Sequence, residues 1–171
     1  MPPPDPAILI RPFCPDDLPD ALAIQAASYP AFLREDRAAF LSRLEIDASC
    51  CLAATREGAL IAYMLAHGWP RAAPPAVGTI LPRHAAMEVL FIHDLAVAPF
   101  GRGTGVGGLL VAASVTLAEK FGLHRAELIA VEGAADYWRR LGFTETPCSP
   151  ALAAKVAGYG PAAKWMTREI G

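Results

Sequence analysis

Residues 92–111 read I-H-D-L-A-V-A-P-F-G-R-G-T-G-V-G-G-L-L-V, and this stretch decides how the rest of the chain can fold. Its largely apolar, β-branched opening has the composition of a buried strand ending near Val97. Pro99 stops that strand, because it has no N–H to give to a ladder. Arg102, Gly103, Gly105, Gly107 and Gly108 then fall within seven residues. Val106, Leu109, Leu110, Ala113 and Leu117 recur at helical spacing, so a helix begins by about Val106. Lys120 suits its last turn, where a cation meets the negative end of the helix dipole, and Gly122 is a good closing residue.

Strand, glycine-rich turn and helix together make an anion site. The first helical N–H groups have no partner within the helix. Glycines let phosphate oxygens lie against bare backbone at the positive end of the dipole. Arg102 adds a planar cationic fork suited to a phosphate. The sequence therefore predicts a pyrophosphate site over residues 102 to 107, formed by Arg102, Gly103, Thr104, Gly105, Val106 and Gly107. A glycine-rich turn without a ligand is the plainer alternative.

No Lys-Ser or Lys-Thr follows these glycines, so the stretch is not a P-loop. Gly103, Gly105 and Gly108 satisfy G-x-G-x-x-G, but the motif lies past mid-chain with little more than one βα unit after it. A dinucleotide fold needs the reverse. A nucleotide-binding oxidoreductase would rest on that match alone. Arg102-x-x-Gly105-x-Gly107 instead resembles the R/Q-x-x-G-x-G/A signature of the GNAT N-acetyltransferase superfamily, which holds the pyrophosphate of acetyl-coenzyme A. The preceding L-A-V-A-P resembles that family's strand end, and the later L-G-F at 141–143 is a second point of likeness. The resemblance spans the chain from Ile8 onward.

The resemblance implies a single α/β (α+β) domain over residues 8–171. Its mixed, mostly antiparallel sheet of about six to seven strands is flanked by about four helices. A splayed parallel strand pair forms the acetyl-coenzyme A slot. It implies direct acetyl transfer to a primary amine of a small molecule, amino acid or peptide end, with no metal. Leu95, Ala96 and Val97 are the implied slot residues, and the backbone N–H of Val97 matches the donor to the thioester carbonyl. An acyl-coenzyme A sensor without transfer activity is the alternative on the same fold. Family members often form homodimers, so that state is an open expectation.

Several residues are candidates for the chemistry. His93 is favoured as general base: its ordinary pKa suits the task, and strict alternation puts it on one face with Leu95 and Val97. A core histidine is an equally good account of it. Glu88 is the second candidate, if a bulge flips its parity. Asp94, facing away from His93, reads as a structural acceptor. Many family members carry an acidic tyrosine four residues before the glycine of L-G-F. That position is Trp138 here and tyrosine stands one residue earlier, at Tyr137, about 100° away around a helix. Either the helix is registered differently and Tyr137 is the candidate acid, or the enzyme does without this acid, with Trp138 packed on the cofactor arm. Tyr29, His67 and His84 are candidate acceptor contacts. Phe32, Arg34 and Trp69 belong to the same suspected region.

Around the motif the chain reads in order. Residues 1–7, with three consecutive prolines, make a loose tail. A strand over 8–13 precedes a helix over 18–27, capped by Asp16 or Asp17, and a second helix over 36–44. Strands over 50–55 and 59–69 form a hairpin through residues 56–58. A proline-rich loop of about 15 residues with Arg71, Arg83 and His84 shapes the acceptor pocket, and the central strand runs over 86–97. A strand over 125–131 lies parallel to it through a right-handed crossover. A short helix over 134–141, a strand from Phe143, a loop over 147–161 with room for a helical turn, and a last strand over 163–170 complete the chain.

Composition sets the bounds. The 171 residues are 54% hydrophobic and 19% charged, with formal net charge −2. Such a chain is globular, and no Lys/Arg run supplies a nucleic-acid surface. The apolar runs are shorter than a membrane helix and the first residues lack a signal-peptide core, so a cytoplasmic protein is expected. Cys14, Cys50, Cys51 and Cys148 show no C-x-x-C spacing and read as reduced core thiols.

Overall fold

The computed structural model describes residues 7–171. The expected tail, apart from Ala7, lies outside the described residues. The strands are β1 (Ile8–Pro12), β2 (Leu52–Arg56), β3 (Ala59–Trp69), β4 (Val89–Val97), β5 (Arg125–Ala130), β6 (Thr144–Glu145) and β7 (Lys164–Glu169). They form one sheet in the order β1-β2-β3-β4-β5-β7-β6. All neighbours are antiparallel except β4 and β5, which are parallel. The helices are α1 (Leu18–Ser28), α2 (Arg37–Glu45), α3 (Val106–Lys120), α4 (Ala135–Arg140) and α5 (Pro150–Ala157). Among the described residues, no helix is long and apolar enough to cross a membrane.

Each face of the sheet has its own core. On one face, Val106, Leu110, Val111, Val115 and Ala118 of α3 and Trp138 of α4 pack on Leu90, Ile92, Met64, Leu128 and Met166. The spacing along α3 is that of a single helical stripe. Leu110 is fully buried, and cutting such a side chain to Ala costs about 2–5 kcal/mol. On the other face, Leu18, Ala21 and Ile24 of α1 and Phe40 of α2 pack on Tyr63, Leu65 and Ala96. Leu152 and Val156 of α5 cover Phe91 and Trp165 there.

Several boundaries differ from the sequence reading for local reasons. Asp17 does not cap α1 with its side chain. Its carboxylate accepts 2.7 Å bonds from both terminal nitrogens of Arg11 instead, and this pair holds the carboxyl below its usual range. Asp36 does cap α2, accepting from the Ala39 N–H at 3.0 Å. The segment expected to open the central strand is loop: β4 starts only at Val89. The region read as a loop with a turn holds α5, which Ser149 caps at the Leu152 N–H and Pro150 begins. Cys50 and Cys51 are buried free thiols, but Cys148 is exposed and Cys14 partly so. Burial pushes Cys50 up to about 12 and Cys51 to about 11, so neither is a thiolate at neutral pH.

Candidate functional site

β4 and β5 pair only over Leu90–Ala126, Phe91–Glu127 and Ile92–Leu128. Beyond Ile92 the two strands part. β4 stays on β3 as far as Val97, and β5 stays on β7 as far as Ala130. A cavity of about 310 Å³ opens between them, lined by Leu95, Val97, Val131, Tyr137 and Arg102 among others.

Backbone groups face into this gap. The Ala98 N–H donates to the Ile61 carbonyl on β3 at 2.8 Å. Strand N–H groups alternate sides, so that of Val97 points away from β3, toward the gap. Leu95 shares that orientation, and its carbonyl accepts a 2.8 Å bond from the Tyr29 hydroxyl instead of from a strand. At the far end of β4 the chain turns into α3. Gly103 and Gly105 both adopt left-handed backbone (φ 77° and 79°), and nothing lies within 4 Å of the place a Cβ would occupy on either. A β-branched or bulky residue is strained in that conformation. Thr104 steadies the turn, donating to the Gly101 carbonyl at 2.6 Å. Its hydroxyl also accepts a long 3.4 Å bond from the Val106 N–H, the first of α3. The open turn is flanked by Arg102, which is exposed and lines the cavity. These residues fit a diphosphate followed by an extended, thiol-bearing arm.

Strict alternation along β4 fails at one residue. Asp94 pairs with Leu65 and Ile92 with Ala66, which leaves His93 as the extra residue of a bulge. His93 is therefore not on the face of Leu95 and Val97, which join the α3 core. It lies with Phe91 and Asp94 on the opposite face. Asp94 also differs from expectation. Its partner is the Tyr63 hydroxyl, donating at 2.6 Å, not backbone, and it lines the cavity beside His93. Burial raises its carboxyl above the usual range, against the hydrogen bond from Tyr63.

His93 meets a residue the sequence reading missed. Its Nε2 lies 2.5 Å from Oε1 of Glu35, and both side chains are 3% exposed. Glu35 sits between α1 and α2 in P-A-F-L-R-E-D. Its Oε2 accepts from the Gly78 N–H at 2.6 Å and faces Arg43, which is fully buried, at 3.6 Å. Burial alone would raise Glu35, but His93 and Arg43 outweigh it and hold the carboxyl at about 2. One signal was available: an acidic residue directly after Phe32 and Arg34, in the region suspected of acceptor contact.

The other candidates separate cleanly. Tyr29 lines the cavity, and burial and Asp94 raise its phenol well above its ordinary value. Tyr137 also lines it, and burial raises its phenol too. Trp138 is core: 7% exposed and edge-on to both Tyr137 and Phe143, it only touches the cavity wall. Glu88 is exposed before β4 begins, at the end remote from the glycine turn, where it accepts from the Arg71 N–H. The bulge at His93 does bring Leu90 and Ile92 onto the face of Leu95 and Val97, but Glu88 lies before the strand and outside the cavity lining. His67 is fully buried against Phe91 and Trp69, outside the cavity lining. His84 is exposed and paired with Asp47. Arg34 donates to the carbonyls of Tyr29 and Ala26, closing α1. Phe32 is exposed. Of the proline-rich loop, Val77 reaches the cavity, while Arg71 and Arg83 do not.

The family model described as "Acetyltransferase (GNAT) family" matches residues 18–143. No curated protein matches the sequence. Among solved structures, the chain is similar to Ard1 from Thermoplasma volcanium, with 18% identity, TM-score 0.74, and 96% of this chain and 99% of that one covered. It is similar to N-acetylglutamate synthase from Neisseria gonorrhoeae, solved with coenzyme A and N-acetyl-glutamate. There the identity is 16% and the TM-score 0.71, over 96% of this chain and 35% of that one. It is also similar to the ribosomal-protein-S18-alanine N-acetyltransferase of Escherichia coli (18%, TM-score 0.69, 96% and 94% covered). At these identities the likeness is one of fold.

Proposed function

Because the chain belongs to the GNAT acetyltransferase family, we propose that it transfers an acetyl group from acetyl-coenzyme A to a primary amine. The observation that carries this reading is the parting of β4 from β5 after Ile92, with the open Gly103–Gly105 turn at its end.

Acetyl-coenzyme A, when bound, supplies an activated acetyl thioester. The N–H groups that open α3, with Arg102, hold the diphosphate. Leu95, Ala96 and Val97, which line the cavity, would border the arm, and the Val97 N–H, pointing away from β3, would donate to the thioester oxygen. A preorganised donor of this kind contributes roughly 3 kcal/mol where charge develops on oxygen. Tyr137 stands at the slot as the proton source for the departing sulfur. That demand is mild, because a thiol of pKa about 8.5 leaves tolerably unaided.

The amine sets the harder requirement. With a pKa near 10.4 it is neutral in fewer than about one molecule in a thousand at pH 7, so a base must take its proton. His93, the imidazole that lines the cavity, is the base assigned to that role. The acceptor would sit beside Tyr29, Leu33, Val77 and Tyr159, which line the cavity near His93. Four free cysteines suit a reducing, cytoplasmic setting.

A panel of primary amines, amino acids and short peptides, with release of free coenzyme A thiol as the readout, tests the proposal. Release above the hydrolytic background with at least one amine is expected. Cofactor binding with no amine-stimulated release across the panel establishes the acyl-coenzyme A sensor instead.

A further inference from the structure

The bulge in β4 leaves two buried acceptor atoms without partners on residues that line one cavity. Nδ1 of His93 and Oδ1 of Asp94 are both buried without a hydrogen-bond partner among the described residues, and both residues line the cavity. Buried polar atoms are rarely left so, and a site awaiting a ligand is one reason for it. The other edge of each group is occupied. Glu35 takes Nε2 of His93, and the Tyr63 hydroxyl takes Oδ2 of Asp94.

The Glu35 contact fixes which ring nitrogen is free. A carboxylate held ionised beside Arg43 and the Gly78 N–H accepts only, so Nε2 carries the proton and Nδ1 keeps its lone pair. A primary ammonium carries three N–H donors, which match a bare imidazole nitrogen and a bare carboxylate oxygen at consecutive residues. We propose that Glu35 is a positioning residue that presents Nδ1 of His93 as base to the acceptor ammonium, with Asp94 Oδ1 as the second anchor for its N–H groups. One proton passes from the ammonium to Nδ1. The electron pair of the broken N–H bond stays on nitrogen, which becomes the neutral nucleophile. The imidazolium so formed is held against the Glu35 carboxylate. The inference rests on the amine-acceptor reading above.

The charged and titratable groups around His93 come from every element packed on it. They are Glu35 between α1 and α2, Arg43 of α2 behind it, Asp94 of β4, and Tyr63 and His67 of β3. Tyr29 at the end of α1 and Tyr159 after α5 complete the set. Glu35 is the one that touches the ring by a hydrogen bond.

The test uses the full-length protein. In the cofactor-free wild type, nitrogen NMR of the imidazoles, assigned by loss of one signal set in His93→Gln, should show His93 as the Nε2–H tautomer. A His93 with its proton on Nδ1 overturns the proposal whatever the activity. In Glu35→Gln, turnover at neutral pH should fall about 100-fold, and the acid limb of the rate profile should move. KM for acetyl-coenzyme A and the cofactor-induced rise in melting temperature should stay as in wild type. Glu35→Asp should recover part of the rate, and His93→Gln added to Glu35→Gln should cost little more. An unchanged rate profile in Glu35→Gln, with only a lowered melting temperature, makes the contact purely structural and overturns the inference. If the wild type releases no thiol with any amine, it is the acceptor reading that fails. Should Glu35→Gln not fold, the tautomer in wild type and the Glu35→Asp profile still decide.

Discussion

The hydroxyl of Tyr137 occupies the space that a side chain on Gly107 would need. A Cβ built on Gly107 would meet Oη well inside contact distance and the adjoining ring carbon at 3.3 Å. The first turn of α3 is thus open to the tyrosine only because residue 107 is glycine. Gly107→Ala should displace Tyr137 from the slot and slow turnover about tenfold, with a stability cost of about 1 kcal/mol. In a Tyr137→Phe background the same change should slow turnover much less. Equal effects in both backgrounds would show that Tyr137 takes no part.

The glycine turn makes a second expectation. Gly105→Asp and Gly105→Ala both place a side chain at φ +79° in open space, at a strain on the order of 1 kcal/mol that is no greater for Asp than for Ala. Only the first would put a carboxylate where the proposed diphosphate site lies. Acetyl-coenzyme A at saturation should therefore raise the melting temperature of Gly105→Ala but not of Gly105→Asp. A shift in both, of equal size, would move the anion elsewhere.

Acid should destabilise the protein in two windows. Burial pushes His67 down to about 3, so the folded state keeps it neutral while the unfolded chain takes a proton below about pH 6.5. Its contribution is whole above pH 6.5 and is lost as pH falls toward 3, amounting to roughly 2 kcal/mol by pH 5. Glu35, at about 2 in the fold, stabilises above its ordinary value of about 4.5 and loses that contribution as pH falls through 2. Denaturant unfolding of His67→Leu between pH 7 and pH 4 should show a flatter dependence than wild type. An unchanged slope would remove His67 as its source.

Tyr63→Phe should cost about 1–3 kcal/mol, since it strips Asp94 of the hydroxyl donating at 2.6 Å and leaves a buried carboxyl less satisfied. Denaturant midpoints measure it. A neutral result would mean that water or Tyr29 takes over the bond.

What the sequence made legible was local. Residues 92–111 carry strand, turn and helix in one uninterrupted signal, and each feature appears within a residue or two of its reading. The acceptor end was less legible because contacts there cross long stretches of chain. Glu35 and His93 are 58 residues apart, and no periodicity links them. The face of His93 was misread because alternation holds only until a bulge intervenes, and the bulge is a property of the β3–β4 pairing, not of either strand alone. α5 was missed although Ser149 and Pro150 form a regular helix start, since the glycines and prolines around it read as loop.

The most direct test is calorimetric titration of the protein with coenzyme A and, separately, with pantetheine, which keeps the thiol arm and lacks the diphosphate. Stoichiometric binding of coenzyme A, lost in Arg102→Gln combined with Gly105→Asp and far weaker for pantetheine, is the predicted result. Equal affinity for the two ligands, or none for coenzyme A, would contradict the assignment of the residue 102–107 turn as a diphosphate cradle.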